Sequence, residues 1–481
     1  MSSREHGAVP RLPIALGLIL LIARPCLAEA PLQRVRIHSS EARSLARQLE
    51  ATGHDLLCGG VTASTLDLVV TPAELAGLEA RGLAPELVSV SRPLRDILAE
   101  RATRTGRRGV PADYQDYAAI LDRMTTVAEA HDIAELVDLT ERYGVPTTFE
   151  GRHLHAMKIS DNVTVREDEP AFLMVSAHHC REIVTPVLAL ESIDAFVEGY
   201  GTGARITRLV DEHEIWIAPM WNPDGYVHVF EVANLWRKNR RPVGDDFGID
   251  LNRNYPAGWG NACGGSTNPA SNTYRGDLPA SEPETLTMMA WSDDLHFAKV
   301  LDYHSTGQEV LWGYDCPSHP WDAFIQDEGT ELSTQSGYMG AERSPSADGE
   351  HYEWQLARME AFAFLTETAT TFQPTHSTAL DEFDLVWPGT LALLDRPVPL
   401  WGHVRDACTG EPLVASIDFP EVTFTHGEAH ESFLPFGRYH AFPPPGSHVV
   451  RFSAPRLSPT GTCGRAPRER QPRARDRAGA R

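Results

Sequence analysis

Two apolar runs in the middle of the chain have the pattern of buried β-strands. Ala171–Ser176 (AFLMVS) is an unbroken apolar run, and Thr185-Pro186 opens an amphipathic stretch with helical spacing that continues to Phe196. Residues Lys299–Tyr303 predict a second strand. Strands of this type, with helices between them, predict an open α/β sheet.

Charged side chains follow both predicted strands. His179 and Glu182 lie in the turn between the first strand and its helix, and His304 follows the second strand. Open α/β sheets place their sites at the carboxyl ends of their strands, so we expect these three side chains to converge. Two histidines and one glutamate form a catalytic zinc set that leaves the fourth position to water. The sequence therefore predicts one zinc ion per chain, bound by His179, Glu182 and His304.

The N-terminal part has a pattern of its own. Residues 31–92 are predicted to form a small α+β unit with strands at Gln33–His38 and Thr65–Val70 and a helix at Ala42–Glu50. Thr71-Pro72-Ala73-Glu74 matches a capping box that starts a second helix. Residues 93–111 are predicted to be a linker. The linker is rich in arginine: Arg101, Arg104, Arg107 and Arg108.

Length and charge limit the classes of function. A chain of 481 residues is expected to hold several domains, and a net charge of -23 argues against nucleic acid as the main partner. Residues 1–30 match a secretory signal, with an apolar stretch, Leu12 to Ala23, that is too short to span a membrane. We therefore expect a soluble, secreted protein without a membrane partner. In an oxidising compartment Cys263 and Cys316 are expected to pair, and Cys180 is expected to pack as a small apolar group.

The C-terminal part alternates short predicted strands and turns over residues 398–455. Residues 456–481 are rich in Pro and Arg and have no apolar periodicity, so they are predicted to be disordered. A truncated end and a basic tail that binds polyanions both remain open.

The order of these motifs resembles the zinc carboxypeptidases of the pancreatic A and B type, and more closely their secreted bacterial relatives. The resemblance covers residues 112–392 and implies a catalytic domain of the α/β zinc-carboxypeptidase fold, with a mixed central sheet flanked by helices. Residues 31–92 resemble the open-sandwich pro-region of these enzymes, and residues 398–455 resemble an incomplete transthyretin-like β-sandwich. The matching segments are Glu150-Gly151-Arg152, His179 to Glu182, Pro219 to Tyr226, Arg240, Asn252-Arg253, Thr273 to Gly276, Ser281 to Glu284, His304 and Glu367.

The resemblance also implies roles. Glu367 would be the general base, and Arg240 would stabilise the oxyanion beside the scissile carbonyl. Arg253, with Asn252, would bind the terminal carboxylate of a peptide or protein, which makes the enzyme an exopeptidase. Arg181 would be the family's auxiliary subsite arginine.

The pocket for the C-terminal side chain departs from the family pattern. Ser344 or Pro345 stands where the family has a mobile tyrosine, and Tyr338 is a tyrosine of the preceding loop that could replace it. By resemblance, Tyr352 lies at the pocket floor and predicts removal of neutral, apolar residues. If Glu350 faces the pocket instead, a basic preference is expected.

Two other classes of function fit parts of the pattern. A zinc-dependent deacylase or peptidoglycan-peptide hydrolase on this fold would keep the ligands and Glu367 but lack the Asn252-Arg253 pair. A non-catalytic binding relative would be expected to lose Glu367 or a ligand. The carboxypeptidase hypothesis further predicts a monomer that a trypsin-like protease activates by cleavage in the arginine-rich linker.

Overall fold

The computed structural model describes residues 31–104, 114–261, 264–314, 317–345, 347–428 and 430–454. The predicted signal, Arg107 and Arg108, the Cys263–Cys316 pair and the C-terminal tail lie outside the described residues. Within these ranges, no helix combines the length and the apolar composition that crossing a membrane requires.

The N-terminal unit is a four-stranded antiparallel sheet with two helices packed on one face. Its elements are β1 (Gln33–His38), α1 (Ala42–Glu50), β2 (Asp55–Leu56), a 3₁₀ turn (Cys58–Gly60), β3 (Thr65–Val70), α2 (Pro72–Ala80) and β4 (Glu86–Val90), in the sheet order β2-β3-β1-β4. The predicted capping box is present, because Thr71 Oγ1 accepts from the Glu74 amide and the Glu74 carboxylate accepts from the Thr71 amide.

The predicted linker contains a helix. Residues 93–111 begin with a helix, α3 (Leu94–Arg104), because Leu94, Leu98 and Ala102 have helical spacing and bury one face of it. Arg101 donates hydrogen bonds to the carbonyl groups of Gln373 and Pro374, so this helix is fastened to the following domain.

The central part of the chain confirms the predicted α/β architecture. Over the described residues it contains α4 (Tyr117–Ala130), β5 (Ala134–Asp138), α5 (Leu139–Tyr143), β6 (His155–Ile159), β7 (Ala171–Ser176), α6 (Val184–Gly199), α7 (Ala204–Asp211), β8 (Glu214–Ala218), α8 (Pro223–Glu231), β9 (Pro242–Val243), β10 (Asp246–Phe247), a 3₁₀ turn (Leu251–Arg253), α9 (Pro283–Leu295), β11 (Lys299–Ser305), β12 (Glu309–Leu311), α10 (Asp322–Gln335), β13 (Glu342–Arg343), α11 (His351–Met359), β14 (Phe362–Thr368) and α12 (His376–Asp395).

Eight of these strands form one mixed sheet in the order β13-β12-β14-β11-β7-β8-β6-β5. The four central strands, β14, β11, β7 and β8, run parallel. Alternate residues of β7 belong to two separate apolar clusters, with Phe172 and Met174 on one face and Leu173 and Val175 on the other. Burial on both faces explains why this strand is apolar throughout rather than alternating.

The C-terminal strands form two separate pairs. They are β15 (Leu400–His403), β16 (Ser416–Asp418), β17 (Arg438–Ala441) and β18 (Arg451–Ser453), paired as β15 with β17 and β16 with β18. Phe442 stacks on Phe362 of β14 at 4.7 Å between ring centroids, which joins this part to the central domain. The transthyretin-like sandwich stays a prediction.

Candidate active site

The three predicted metal ligands converge at the carboxyl ends of the central strands. His179 and Glu182 follow β7, and His304 lies near the end of the neighbouring parallel strand β11. The Nδ1 atom of His179 lies 3.0 Å from Nδ1 of His304 and 2.9 Å from Oε1 of Glu182. The remaining carboxylate oxygen of Glu182 lies 3.3 Å from Nδ1 of His304.

The far nitrogens of both histidines face carboxylates. Nε2 of His179 lies 3.1 Å from Asp250, and Nε2 of His304 lies 3.2 Å from Asp302. When both histidines are neutral and carry their proton on Nε2, both Nδ1 atoms and the Glu182 carboxylate are acceptors that face one another. Such an arrangement repels itself unless a cation lies at its centre. The residues therefore fit zinc, with Asp250 and Asp302 as the partners that orient the ligating histidines.

The carboxylates around His304 favour positive charge at that histidine. Burial lowers the pKa of His304, but Asp302 and Glu182 outweigh burial and hold that pKa well above its usual value. A second group that could hold a metal, His178, Asp302 and His304, shares one of these histidines. His178 and Asp302 are fully buried, and His178 is hydrogen-bonded to Tyr255. We therefore infer that His178 and Asp302 position the first group of ligands and do not bind a metal themselves.

A cavity of about 610 Å³ opens in front of the three ligands. Its lining includes Glu367 and Arg253, and the N-terminal unit contributes Arg47, Glu50, Ala51 and residues 53–57 to it. Glu367 lies on β14 directly opposite His304 in the parallel register, so the sheet itself fixes the spacing between these two residues. A methyl group at Gly307 would come within 2.7 Å of Cβ of Glu367, which explains the glycine there.

The Glu367 carboxyl is suited to proton transfer. Burial, and then the charge of Glu182, raise its pKa to about 8. A cation held by the three ligands would favour the ionised form and lower that pKa again. Nη2 of Arg343 lies 4.0 Å from Oε1 of Glu367 and favours the same form.

Asn252 and Arg253 lie in the 3₁₀ turn and line the same cavity. The Asn252 amide and the His179 ring are both hydrogen-bonded to Oδ1 of Asp250, so one carboxylate positions the metal ligand and the turn together. Nη1 of Arg253 donates to the Asn252 carbonyl at 2.6 Å and to Glu350 at 2.8 Å.

The profile of the zinc carboxypeptidase family matches residues 127–381, which is more than half of the 481 residues. The chain belongs to the zinc carboxypeptidase family. The resemblance in the order of the motifs is thereby confirmed.

Individual members of the family show how far the likeness extends. A zinc carboxypeptidase from Saccharothrix mutabilis subsp. capreolus is 32% identical over 247 residues, which are 50% of this chain and 56% of that protein. A protein named inactive metallocarboxypeptidase from Arthroderma otae is 30% identical over 223 residues, which are 43% of this chain and 36% of that protein. The chain thus spans about half or less of the length of these two relatives.

The solved structure of carboxypeptidase A from Helicoverpa armigera has the same fold. Its TM-score is 0.61 at 21% identity, and the superposition covers 76% of this chain and 96% of that structure. The predicted fold class is therefore confirmed.

One predicted residue of the carboxypeptidase site lies outside the cavity. Arg240 packs its guanidinium over the rings of Trp236 and Phe247, at 4.7 and 4.6 Å, and approaches Glu150. Arg237, three residues earlier, lines the cavity instead and donates to Oδ2 of Asp250 at 3.0 Å. The structure therefore does not bring Arg240 to the cavity, because the segment places Arg237 on the cavity side.

The residue expected at the pocket floor also lies away from the cavity. Tyr352 is fully buried in the apolar cluster that contains Trp354, and it does not line the cavity. Glu350 lines the cavity instead, because α11 begins at His351 and carries Tyr352 inward. Ser344 and Pro345, which stand at the position of the family's mobile tyrosine, also line the cavity. Tyr338 does not replace it, since its hydroxyl donates to Glu382.

Arg181 lines the cavity as expected, but its guanidinium is paired with Asp55 of the N-terminal unit. Cys180 packs as expected, with its thiol directed to the Trp236 carbonyl at 3.1 Å. Sequence reasoning missed Asp250, Asp302 and Asp55. Asp250 precedes Asn252-Arg253 by two residues and Asp302 precedes His304 by two, and that spacing was the available signal.

Proposed function

We propose that the protein is a secreted zinc metallocarboxypeptidase that hydrolyses the C-terminal peptide bond of peptides or proteins. The single observation that carries this proposal is the lining of one cavity. The zinc set His179, Glu182 and His304 shares that cavity with Glu367 and with Arg253. A hydrolytic centre and a carboxylate-binding arginine then face the same substrate.

Each side chain has a distinct task in peptide hydrolysis. Zinc, when bound, supplies Lewis-acid polarisation of a carbonyl and activation of water. Glu367 accepts the proton of the attacking water and later passes it to the leaving amine. Arg237 carries a fixed positive charge at the cavity wall, where it offsets negative charge that develops on the carbonyl oxygen.

Arg253 favours an exopeptidase over a deacylase or a peptidoglycan-peptide hydrolase. Among the described residues, its hydrogen bonds all come from Nη1, which leaves Nε and Nη2 of the guanidinium for a substrate carboxylate. A planar guanidinium binds a carboxylate through two parallel N–H donors, and an amide or ester end offers no matching charge. The loss of Glu367 or of a ligand, which a non-catalytic relative would be expected to show, is not found.

The position of the N-terminal unit supports the proposal that the chain is a zymogen. It forms one wall of the cavity, Asp55 pairs with Arg181, and the Gly59 amide donates to the Thr306 carbonyl at 3.0 Å, two residues after His304. Cleavage after α3 by a trypsin-like protease would allow this unit to leave. Secretion rests on the signal-like pattern of residues 1–30, and a monomer is the expected state.

The zinc-loaded full chain, treated with trypsin, tests the proposal. Peptides that differ only in a free or amidated C-terminus are incubated with it, and the products are weighed by mass spectrometry. Loss of a single C-terminal residue from the free peptide alone is expected. Glu367→Gln, prepared in the same way, should bind the peptide without turnover. Internal cleavage, or equal cleavage of the amide, would contradict an exopeptidase, and binding without turnover by the unmutated chain would favour a non-catalytic relative.

A further inference from the structure

A buried glutamate on α12 joins three loops behind the proposed general base. Glu382 is 6% exposed. Its Oε1 atom accepts hydrogen bonds from the Ala369 amide at 2.7 Å and from the Tyr338 hydroxyl. Its Oε2 atom accepts from the side-chain amide of Gln308 at 3.2 Å. Because Ala369 follows Glu367 by only two residues, Glu382 contacts the segment that carries the base.

Two of these loops have an unfavourable backbone conformation at the point of contact. The φ angle is 55° at Gln308 and 55° at Ala369, in the left-handed region that residues with a side chain rarely adopt. Such residues persist only where the surrounding structure fixes them, and they are concentrated at functional sites. In both cases an oxygen of Glu382 accepts a hydrogen bond from the residue itself. Glu382 therefore stabilises both turns.

The first turn reaches Glu367 through β12. Gln308 directly precedes Glu309, the first residue of β12, which pairs with Glu367 of β14. The Glu309 carboxylate accepts from Nε of Arg343 at 2.6 Å, and Nη2 of the same arginine lies 4.0 Å from the Glu367 carboxylate. A displacement of Gln308 would therefore move both the strand neighbour of the base and the cation beside it.

The second turn reaches Glu367 through Gly307. The Gly307 amide donates to the Ala369 carbonyl at 3.1 Å. The Gly307 backbone also lies directly against Cβ of Glu367, since a methyl group at this glycine would come within 2.7 Å of that atom. A displacement of Ala369 would therefore change the contact that limits where the Glu367 side chain can lie.

The helix α12 is packed closely against the loop that follows α10. A methyl group at Gly337 of the loop would clash with Leu385 of α12, and one at Gly389 of α12 would clash with Ser336 of the loop. Dense packing of this kind transmits strain and allows little movement. A carboxylate on this helix can therefore hold the loops in place.

We propose that Glu382 is a positioning residue that fixes the Glu367 carboxylate at the place where proton transfer occurs. The inference rests on the proposed carboxypeptidase function and adds a residue that acts through the general base. A displacement of about 1 Å in a reacting group can cost about 100-fold in rate. None of the hydrogen bonds of Glu382 among the described residues reaches Asn252 or Arg253, so substrate binding should be spared.

The variant Glu382→Gln tests the proposal in the zinc-loaded, trypsin-treated full chain. The glutamine keeps an oxygen for Ala369 and Tyr338, but its NH₂ group then faces the NH₂ group of Gln308 and the hydrogen bond is lost. We expect kcat for a peptide with a free C-terminus to fall about 10- to 100-fold, with KM within about threefold and full zinc content. An unchanged kcat, or a loss mainly in KM, would overturn the proposal.

Exchanging the two side chains separates positioning from a general loss of structure. In Glu382→Gln/Gln308→Glu the donor and the acceptor are interchanged, so the hydrogen bond can form again. We expect kcat to return to within about threefold of the unmutated value, whereas Gln308→Glu alone, which brings two carboxylates together, should be as slow as Glu382→Gln. A double variant as slow as the single variants would overturn the role of this hydrogen bond.

Asp381→Asn is the matched control. It removes an acid at the preceding position of α12, where the side chain is exposed. We expect kcat, KM and zinc content to stay unchanged. A fall in kcat as large as that of Glu382→Gln would overturn the assignment to Glu382 and point to the charge of the helix.

A measurement without turnover separates this inference from the proposed function. Hydrogen exchange, followed by mass spectrometry, reports how firmly residues 305–309 and 366–370 are held. In Glu382→Gln their amides should exchange at least about 10-fold faster, as expected for the loss of a hydrogen bond to a charged group, and the exchanged pair should restore slow exchange. Unchanged exchange overturns the inference even if peptides are cleaved. Absence of cleavage by the unmutated chain, with the exchange result as expected, contradicts only the proposed function.

Discussion

The carboxylate of Asp55 and the guanidinium of Arg181 form a two-point ion pair, at 2.5 and 2.7 Å, across the contact between the N-terminal unit and the catalytic domain. Both side chains are almost completely buried. Asn272 donates to the same carboxylate at 3.0 Å, and Arg237 lies 3.9 Å from it. The N-terminal unit therefore places a negative charge among the cations of the substrate cavity, where a substrate would place its own polar groups.

We expect Asp55→Ala to weaken the contact by which the N-terminal unit covers the cavity. Removing one partner of a buried, hydrogen-bonded charge pair at an interface costs about 2 to 5 kcal/mol, much of it from the partner that is left unpaired. Before trypsin treatment, the variant should cleave a small peptide substrate at least about 10-fold faster than the unmutated chain, as that free energy implies. Glu86→Gln, on the exposed strand β4, is the control and should change nothing. Equal activity of the two untreated chains would show that Asp55 does not hold the cover closed.

The partners of the metal ligands give a second prediction. Asp302 lies 3.2 Å from Nε2 of His304, and Asp302→Asn should lower zinc affinity about 10- to 100-fold, because the orienting carboxylate is lost. His304→Ala should lose stoichiometric zinc altogether. Zinc content by mass spectrometry and competition with a chromophoric chelator measure both effects. His319→Gln, a buried histidine outside the cavity, is the control, and stoichiometric zinc in His304→Ala would refute the ligand assignment.

Glu367→Gln should separate catalysis from metal binding. The substitution removes the group that transfers the proton and leaves His179, Glu182 and His304 in place. We expect full zinc content and a fall in kcat of about 100- to 10,000-fold, the usual contribution of general acid–base catalysis. Steady-state kinetics at saturating substrate measure the change. Turnover within a few-fold of the unmutated enzyme would exclude Glu367 as the base.

Much of the fold followed from patterns that burial on both faces imposes on a strand. Ala171–Ser176 was predicted residue for residue as β7, and β11 continues only two residues beyond its predicted end. The ligands could be predicted because each lies at or shortly after the carboxyl end of such a strand. Parallel pairing then places them together whatever the loops do.

Loop residues could not be placed in this way. Arg237 and Arg240 lie in one basic segment outside regular structure, and the sequence does not state which of them faces the cavity. The packing of Arg240 between Trp236 and Phe247 decides this, and it depends on the tertiary position of β10. The sequence could not tell whether Glu350 or Tyr352 lines the cavity for a similar reason. The residue at which α11 begins decides which of the two side chains faces the cavity and which faces the apolar core.

The two arginines of that segment give a matched pair of variants. Arg237→Lys keeps the positive charge but loses the fork that contacts Asp250, so kcat should fall about 100-fold, comparable to the loss of one oxyanion donor. Arg240→Lys should leave kcat unchanged, since Arg240 lies outside the cavity. Zinc content is measured in both, because Asp250 also contacts His179. A larger effect of Arg240→Lys would restore the original assignment.

The preference for a free C-terminus should depend on Arg253. Its guanidinium is the carboxylate-binding group of the proposed site, so Arg253→Ala should reduce the ratio of kcat/KM for a free peptide over its amide. The ratio should fall about 10- to 100-fold, as expected for the loss of a charge-assisted hydrogen bond. The variant also leaves Glu350 without its partner, so the double variant Arg253→Ala/Glu350→Gln is measured beside it, to remove that unpaired charge. A ratio that falls in both variants assigns the effect to the lost guanidinium. A ratio that returns to the unmutated value in the double variant would instead assign it to repulsion of the substrate carboxylate by Glu350.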